Sequence, residues 1–471
     1  MASIERASTL STPRLFSFST IALPLGALVI AINVYLPAHL ASHLGVSMTV
    51  VGSAWAAVRL IDLAVDPMLG VLMDRTNTRL GRYRAWILVG GPILMLATWA
   101  LFEAPRDIGP VYLIGWLLAL YLGQSILTMG QSAWAAGLAP SYDDRSRAFG
   151  AISIATVTGG IMILMVPLLG ARVGWSSAAA AQAMGWFVVI LVPIVVLTAT
   201  TLTPERLPVL RTEGLRLRDF VGLLTKPDLV RLFFAQLTLT MGPGWMSALY
   251  LFYFTSARGF SAQQASLLLL FYIVAGVVGA IVIARLAVVI GKHRALILVA
   301  LVFAADICAT NFAPKGDLLR SAPLLAIAGF AAAGFDLTIR AMLADVGDEV
   351  RLEQGREQLS LIYALNALAN KLASAFAIGL TFPLLAYIGF NPADGAANTP
   401  QAVRGLELAY VIGPVVFVTV GAFCLIGWKL DSRRHAAIRR LLDEHDARAV
   451  LADVSESLPA AEAGVALTVV K

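Results

Sequence analysis

RLIDLAVDPMLGVLMDRTNTRLGRYR, residues 59–84, starts apolar enough for a buried helix, yet it carries Arg59, Asp62 and Asp66 and then breaks into a run of arginines. Whether those charges lie in water or in lipid decides the fold, and composition answers that question. Of 471 residues, 59% are hydrophobic and 14% are charged, against roughly 25% charged in a soluble domain. Mean hydropathy is +0.80. Apolar runs of about 20 residues, enough to cross a bilayer as a helix, recur along nearly the whole chain, and the ten-residue alternation of a membrane barrel is absent. The chain reads as an integral membrane protein built from helices.

Twelve spans are expected, at roughly 15–41, 48–73, 85–103, 109–139, 149–171, 179–203, 230–254, 263–290, 295–313, 321–344, 359–386 and 405–428. The longest polar stretch between spans, TPERLPVLRTEGLRLRDFVGLLTKPDLVR, separates six from six. The expected organisation is an N-terminal six-helix bundle over 1–203, a cytoplasmic central linker over 204–229, a C-terminal six-helix bundle over 230–428 and a cytoplasmic tail over 429–471. The first run has no small-residue cleavage site and reads as a retained helix. Cys308 and Cys424 both fall inside apolar runs and offer no metal-ligand spacing.

Most of the 35 lysines and arginines fall in the N-terminus, every second loop and the tail, which places both termini in the cytoplasm. Such short basic loops mark topology, not a nucleic-acid surface. In the tail, Ile438, Leu441 and Leu442 have helical spacing and predict an amphipathic helix lying on a surface. GRYRAWIL at 81–88 and GKHRALIL at 291–298 share Gly, a basic residue, Arg, Ala, Ile and Leu, each at the entry to the third span of its half. Two halves in parallel repetition is the construction of the large twelve-helix transporters.

An ionisable group at membrane depth is expensive unless it faces a cavity or a partner. Arg59, Asp62 and Asp66 stand at i, i+3 and i+7, on one face of the second span. Two carboxylates there suit a hard cation such as sodium, or a proton if burial favours the neutral acid. Pro67 frees a nearby backbone carbonyl. Lys371, more than three turns into the eleventh span, has no charged neighbour within a turn, so its counter-charge must come from another helix, and the Asp62/Asp66 pair is the candidate. A packing-only ion pair is the alternative for each. Asp336 and Arg340 are spaced to neutralise one another, Asp306 has no sequence-local partner, and Arg285 is near enough to a span end to snorkel.

Charged loops at the inner face are candidates for ion pairs of a cytoplasmic gate: Asp74, Arg75, Arg82 and Arg84 after the second span, Arg145 after the fourth, and Asp345, Asp348 and Arg356 after the tenth. The plain alternative is a topology signal. For a solute, Asn33, Thr128, Gln131 and Trp134 are candidates in the first half. In the second half TMGPGWMSALYLFYF puts Gly242, Pro243 and Gly244 before Trp245 and Tyr250, aromatics with a polar tip that suit a sugar ring or an apolar solute.

RLIDLAVDP with DRTNTRLGRYR, SAWAAGLAPSYDDRSR, and ADVGDEVRLEQGREQLSLIYALNALANKLASAF resemble the melibiose permease-like family of glycoside–pentoside–hexuronide:cation symporters, within the Major Facilitator Superfamily. The resemblance covers essentially the whole chain. It implies that Asp62 and Asp66 form the sodium or proton site, that Lys371 is coupled to it and that Arg59 is its helix-2 arginine. The family's sugar-binding carboxylates fall here on Gly26 and Gly130, and its helix-5 arginine falls on Ala155. Only the helix-4 tryptophan, at Trp134, remains of that set.

The reading is an all-α, twelve-helix Major Facilitator fold that carries a cation, Na+ or H+, together with a small solute, a sugar, glycoside or related compound. No cofactor is expected beyond the coupling ion. Expected partners are the solute, the cation and the lipid bilayer, with no nucleic acid, and the expected state is a monomer in a bacterial inner membrane. No phosphate-binding GxxxxGK[ST], HExxH or paired-cysteine motif is present, so an ATPase or hydrolase is not expected. Three alternatives stay open: a carrier of an amphipathic or lipid-like solute, proton-driven efflux, and a non-transporting sensor or scaffold.

Overall fold

The computed structural model describes residues 12–76, 78–138, 142–205, 225–355, 358–393 and 395–457, and among these the regular structure is entirely helical. The first half comprises α1 (Pro13–Ser42), α2 (Met48–Arg75), α3 (Tyr83–Phe102), α4 (Pro110–Leu138), α5 (Tyr142–Arg172) and α6 (Ser177–Leu202). The second comprises α7 (Pro227–Phe252), α8 (Ala262–Ile290), α9 (Lys292–Thr310), α10 (Leu318–Gln354), α11 (Leu359–Tyr387) and α12 (Pro400–Phe423), followed by a tail helix α13 (Ser432–Ser457). Ten of these helices are long and apolar enough to cross a membrane. The charge-bearing α2 and the Gly-Pro-Gly-bearing α7 are packed among them.

Local chemistry sets the helix starts. Ser47, Ser176, Asp317 and Thr399 accept the N–H three residues on, and Ser261 and Gln264 form a reciprocal capping box. The sequence repeat has a structural counterpart. Gly81 and Gly291 both take positive φ, 110° and 93°, two residues before α3 and one before α9, a turn that glycine alone makes without strain. The first helix of each half also widens into one π-helical stretch, Ala31–Tyr35 in α1 and Tyr253–Ala257 at the end of α7.

The halves meet along α2 with α11, α5 with α8, and α1 with α7. Within the first half α1 crosses α5 at backbone distance. A Cβ on Gly26 would collide with the Thr156 carbonyl, and one on Gly159 with the Leu23 carbonyl.

Three expectations are corrected here. Residues 345–354 do not form a loop: α10 runs on to Gln354, because ADVGDEVRLEQ holds no breaker before Gly355, which ends the helix in the left-handed region at φ 66°. Arg75 likewise stands on the last turn of α2, not beyond it. The tail helix turns Ile438 and Leu442 inward, 7% and 4% exposed, while Leu441 stays 47% exposed; it packs on the end of α10. Most of the expected central linker, 206–224, lies outside the described residues.

Candidate ion and solute site

At the α2–α11 contact, Lys371 Nζ donates to Asp62 Oδ2 at 2.7 Å and also to Asp66 Oδ2. The helical spacing read from the sequence is what presents both carboxylates to one ammonium. Arg59 lies 3.7 Å from the same Asp62 Oδ2, its guanidinium stacked 3.9 Å above the Tyr121 ring. Ser125 of α4 donates to Asp62 Oδ1 at 3.4 Å. Asp62 is 4% exposed. Two cations against two carboxylates leave the cluster neutral, the condition for keeping such groups at depth. Asp66 Oδ1 is buried with no hydrogen-bond partner among the described residues.

Next to this cluster lies a cavity of about 450 Å³, walled by α7, α8, α10 and α11 with Asn33 of α1. Its polar end is a set of amides and hydroxyls around Asp336. Gln236 Nε2, with two N–H groups, lies within hydrogen-bonding distance of three acceptors, Thr240 Oγ1 (2.9 Å), Asn370 Oδ1 (2.8 Å) and Asp336 Oδ1 (3.3 Å). Thr240 donates to Asn370 Oδ1 at 2.9 Å, Asn370 donates to Asp336 Oδ1 at 3.4 Å, and Arg340 pairs with Asp336 Oδ2 at 2.6 Å. Sequence reasoning paired Asp336 with Arg340 but passed over Gln236, Thr240 and Asn370. The only sequence signal for Asn370 is its place beside Lys371.

The expected solute residues part company. Asn33 lines the cavity, its amide tied to the Val29 carbonyl at 2.8 Å. Trp134 is buried, donates to the Pro204 carbonyl and meets Phe18 edge-on. Gln131 is buried and donates to the Phe18 carbonyl at 3.2 Å. Thr128 is exposed on α4, its carbonyl taken by Ser132. Trp245 donates to the Ala409 carbonyl at 2.9 Å and packs on Phe417, while Tyr250 is buried and donates to the Ala265 carbonyl at 2.9 Å. None of these five side chains lines the cavity, and all but Thr128 hold helices together.

Of the expected gate residues, Asp345 pairs with Lys292 at 2.6 Å, and Asp348 pairs with His435 (3.0 Å) and Arg439 (3.4 Å) of the tail. These pairs join the second half to itself and to its tail. Arg82 and Arg84 bond the carbonyls of Thr76 and Thr200 within the first half, and Arg75 is exposed. Arg356 lies outside the described residues, as do the side chains of Asp74 and Arg145. At the opposite face Tyr35 of α1 and Ser266 of α8 form a buried hydrogen bond of 2.7 Å between the halves.

Two six-helix bundles in contact, with a charge-balanced ion cluster on their interface and a cavity beside it, fit a membrane transporter of the Major Facilitator type. A family model described as "MFS/sugar transport protein" matches residues 17–432, and the chain belongs to that family. It is 23% identical over 438 residues to the uncharacterized symporter YnaJ of Bacillus subtilis (strain 168), covering 88% of this chain and 91% of the relative. It is 21% identical over 436 residues to the isoprimeverose transporter of Lactiplantibacillus pentosus, covering 90% and 89%. The crystal structure of the nucleoside transporter NupG superposes with a TM-score of 0.65 at 12% identity, over 89% of this chain and 100% of that one, a likeness of fold.

Proposed function

We propose that the protein is a symporter that moves Na+ or H+ with a small sugar-type solute across the inner membrane, basic loops and both termini facing the cytoplasm. The observation that carries this reading is the Lys371 ammonium shared by Asp62 and Asp66 across the α2–α11 contact. A sodium ion or a proton competes with that ammonium for the same two carboxylates. Whichever wins sets how the two bundles are tied, so the cation controls the bundle arrangement that the solute meets. The name of one relative, an isoprimeverose transporter, supports a sugar as cargo, and that of another, an uncharacterized symporter, supports symport.

The test is cation binding to the purified protein without solute, by calorimetry with sodium and by proton release on acidification, for wild type, Asp62→Asn and Asp66→Asn. Binding that vanishes in both variants is the expected result. Binding unchanged in both would make the cluster a packing device and remove the symport mechanism.

A second reading has its own observation. Most of the cavity wall is apolar, with Tyr272, Ile273, Phe335 and Ile378 facing the space, which favours a solute with an apolar portion. Competition between a methyl and an octyl glycoside of one sugar separates the two: tighter binding of the octyl form supports the amphipathic solute.

A further inference from the structure

We infer that the solute is held by the C-terminal half, its hydroxyl groups on Asp336, Asn370 and Thr240, and that Asn370 links this site to the ion cluster through its neighbour Lys371. The inference rests on the symport reading and names the site that reading uses.

The first half offers little to grip a sugar. Gly26 is sealed into the α1–α5 crossing and Gly130 is pressed by Ile87, 3.2 Å from where its Cβ would be. Ala155 is buried, and Gln131 and Trp134 are spent on backbone carbonyls. Among the described residues of that half, only Asn33 reaches the cavity. A sugar needs several hydrogen bonds to offset its lost water, so they must come from the other half.

That half has the right chemistry. A carboxylate accepts about four hydrogen bonds. Asp336 has three donors within reach, of which Arg340 is close, while Gln236 and Asn370 are distant, 3.3 and 3.4 Å, and Gln236 has closer acceptors for both of its N–H groups, so a solute hydroxyl displaces them readily. The Asp336 side chain is 46% exposed while lining the cavity. Gln236, 1% exposed, fixes Thr240 and Asn370 from behind, and its own Oε1 has no partner among the described residues. The hydroxyls of Ser247 and Ser374 stand on the same wall, and the Tyr272 and Phe335 rings suit the apolar face of a sugar ring. A volume of about 450 Å³ falls in the usual range for a small-molecule pocket.

The two sites are joined through the backbone of α11. Asn370 and Lys371 are consecutive on α11 and point about 100° apart around it. One faces Thr240 and Asp336, the other Asp62 and Asp66. A cation that displaces the ammonium alters the tether of α11 to α2, and the amide next to it moves with the helix. By reciprocity, solute bound at Asn370 shifts cation affinity by the same factor.

The test uses the full chain in proteoliposomes, with labelled isoprimeverose and methyl β-D-xyloside as probes, imposed Na+ or H+ gradients, and cation binding measured in parallel. Variants are Asp336→Asn, Asn370→Ala and the near-isosteric Thr240→Val, with Thr128→Ala as the first-half control. The expected result is a loss of about tenfold or more in probe affinity for Asp336→Asn and Asn370→Ala, with solute-free cation binding and the control unchanged. Asn370→Ala also loses the mutual enhancement between probe and cation. Uptake by the wild type with unchanged affinity in Asp336→Asn, Asn370→Ala and Thr240→Val would overturn this assignment and leave the symport reading standing. No uptake of either probe by the wild type under either gradient would bring down the sugar-symport reading and this assignment together.

Discussion

Lys371 Nζ stands 2.7 Å from Asp62 Oδ2, two residues 309 apart in sequence, and the same ammonium also bonds Asp66. One ammonium of the second half thus bonds two carboxylates of the first, and in the proposed symport this tie between the halves is where the transported cation competes. A neutral aliphatic side chain at Lys371 would leave Arg59 alone against both carboxylates.

Lys371→Ala removes the resident competitor. Solute-free sodium or proton affinity is expected to rise by about tenfold, equivalent to about 1.4 kcal/mol, while coupled uptake falls to background because the bound cation no longer changes the tie between α2 and α11. Weaker cation binding in this variant would show that the ammonium helps build the site instead of filling it.

Glu205, just beyond α6, reaches the start of α3. Its carboxylate accepts the N–H groups of Arg82 (2.9 Å), Tyr83 (2.8 Å) and Arg84 (3.2 Å), and the side chain fits because Gly81 has no Cβ to obstruct it. An anion at a helix N-terminus satisfies amides that have no partner inside the helix. Glu205→Ala should lower stability by about 1–2 kcal/mol, as for the loss of a good cap, with faster hydrogen exchange confined to the first turn of α3. Unchanged exchange there would mean that water replaces the carboxylate without loss.

Much of this was legible in advance. Runs of apolar residues located the helices, and the i, i+3, i+7 placement of Arg59, Asp62 and Asp66 revealed a shared face because helix geometry is local. The partner of Lys371 was legible from charge and spacing: a lone ammonium at depth needs an anion, and Asp62 and Asp66 together present two on one helix face, where Asp306 stands alone. The site around Asp336 was not, since Gln236, Thr240 and Asn370 are polar residues of unremarkable spacing on α7 and α11, and only the packing of α7 against α10 and α11 makes them one cluster. Trp134 and Tyr250 misled for the converse reason. An aromatic with a polar tip suits a solute in sequence, yet a backbone carbonyl elsewhere in the fold took each tip first.

Gly26→Asp puts a carboxylate at the position where the resembled sugar symporters have one. Here it should restore no sugar binding. The side chain has no space beside the Thr156 carbonyl, and forcing the α1–α5 crossing apart is expected to destabilise by about 1–3 kcal/mol, the usual range for overpacking. A stable variant with a gain in isoprimeverose affinity would show that α1 can rotate to present this position to the cavity.

The tail helix is held by two kinds of contact with different weights. Its ion pairs, Arg434 with Glu349 at 2.6 Å and Arg439 with Asp348 at 3.4 Å, are about half exposed on the arginine side, and such pairs contribute about 1 kcal/mol or less. Ile438 and Leu442 are buried against the body of the protein. Ile438→Asp should therefore release the helix to proteolysis, and Arg434→Ala should change its cleavage rate by about fivefold at most. The reverse order would make the tail an electrostatic latch.

Tyr35 and Ser266 close the face opposite the basic loops. Ser266 Oγ already donates to the Ala262 carbonyl at 2.8 Å, so the Tyr35 hydroxyl is the donor in the 2.7 Å bond that joins α1 to α8. Both groups are buried. The bond is made only when this face is shut, so it stabilises one arrangement of the bundles and not the other. Tyr35→Phe removes a bond of about 1 kcal/mol and should shift the balance by about fivefold toward opening at this face. Hydrogen exchange over residues 258–266 reads that shift, because those amides lie beside the contact. Exchange that stays at the wild-type rate would mean that packing of α1 on α7 alone sets the closure and that the hydroxyl is incidental.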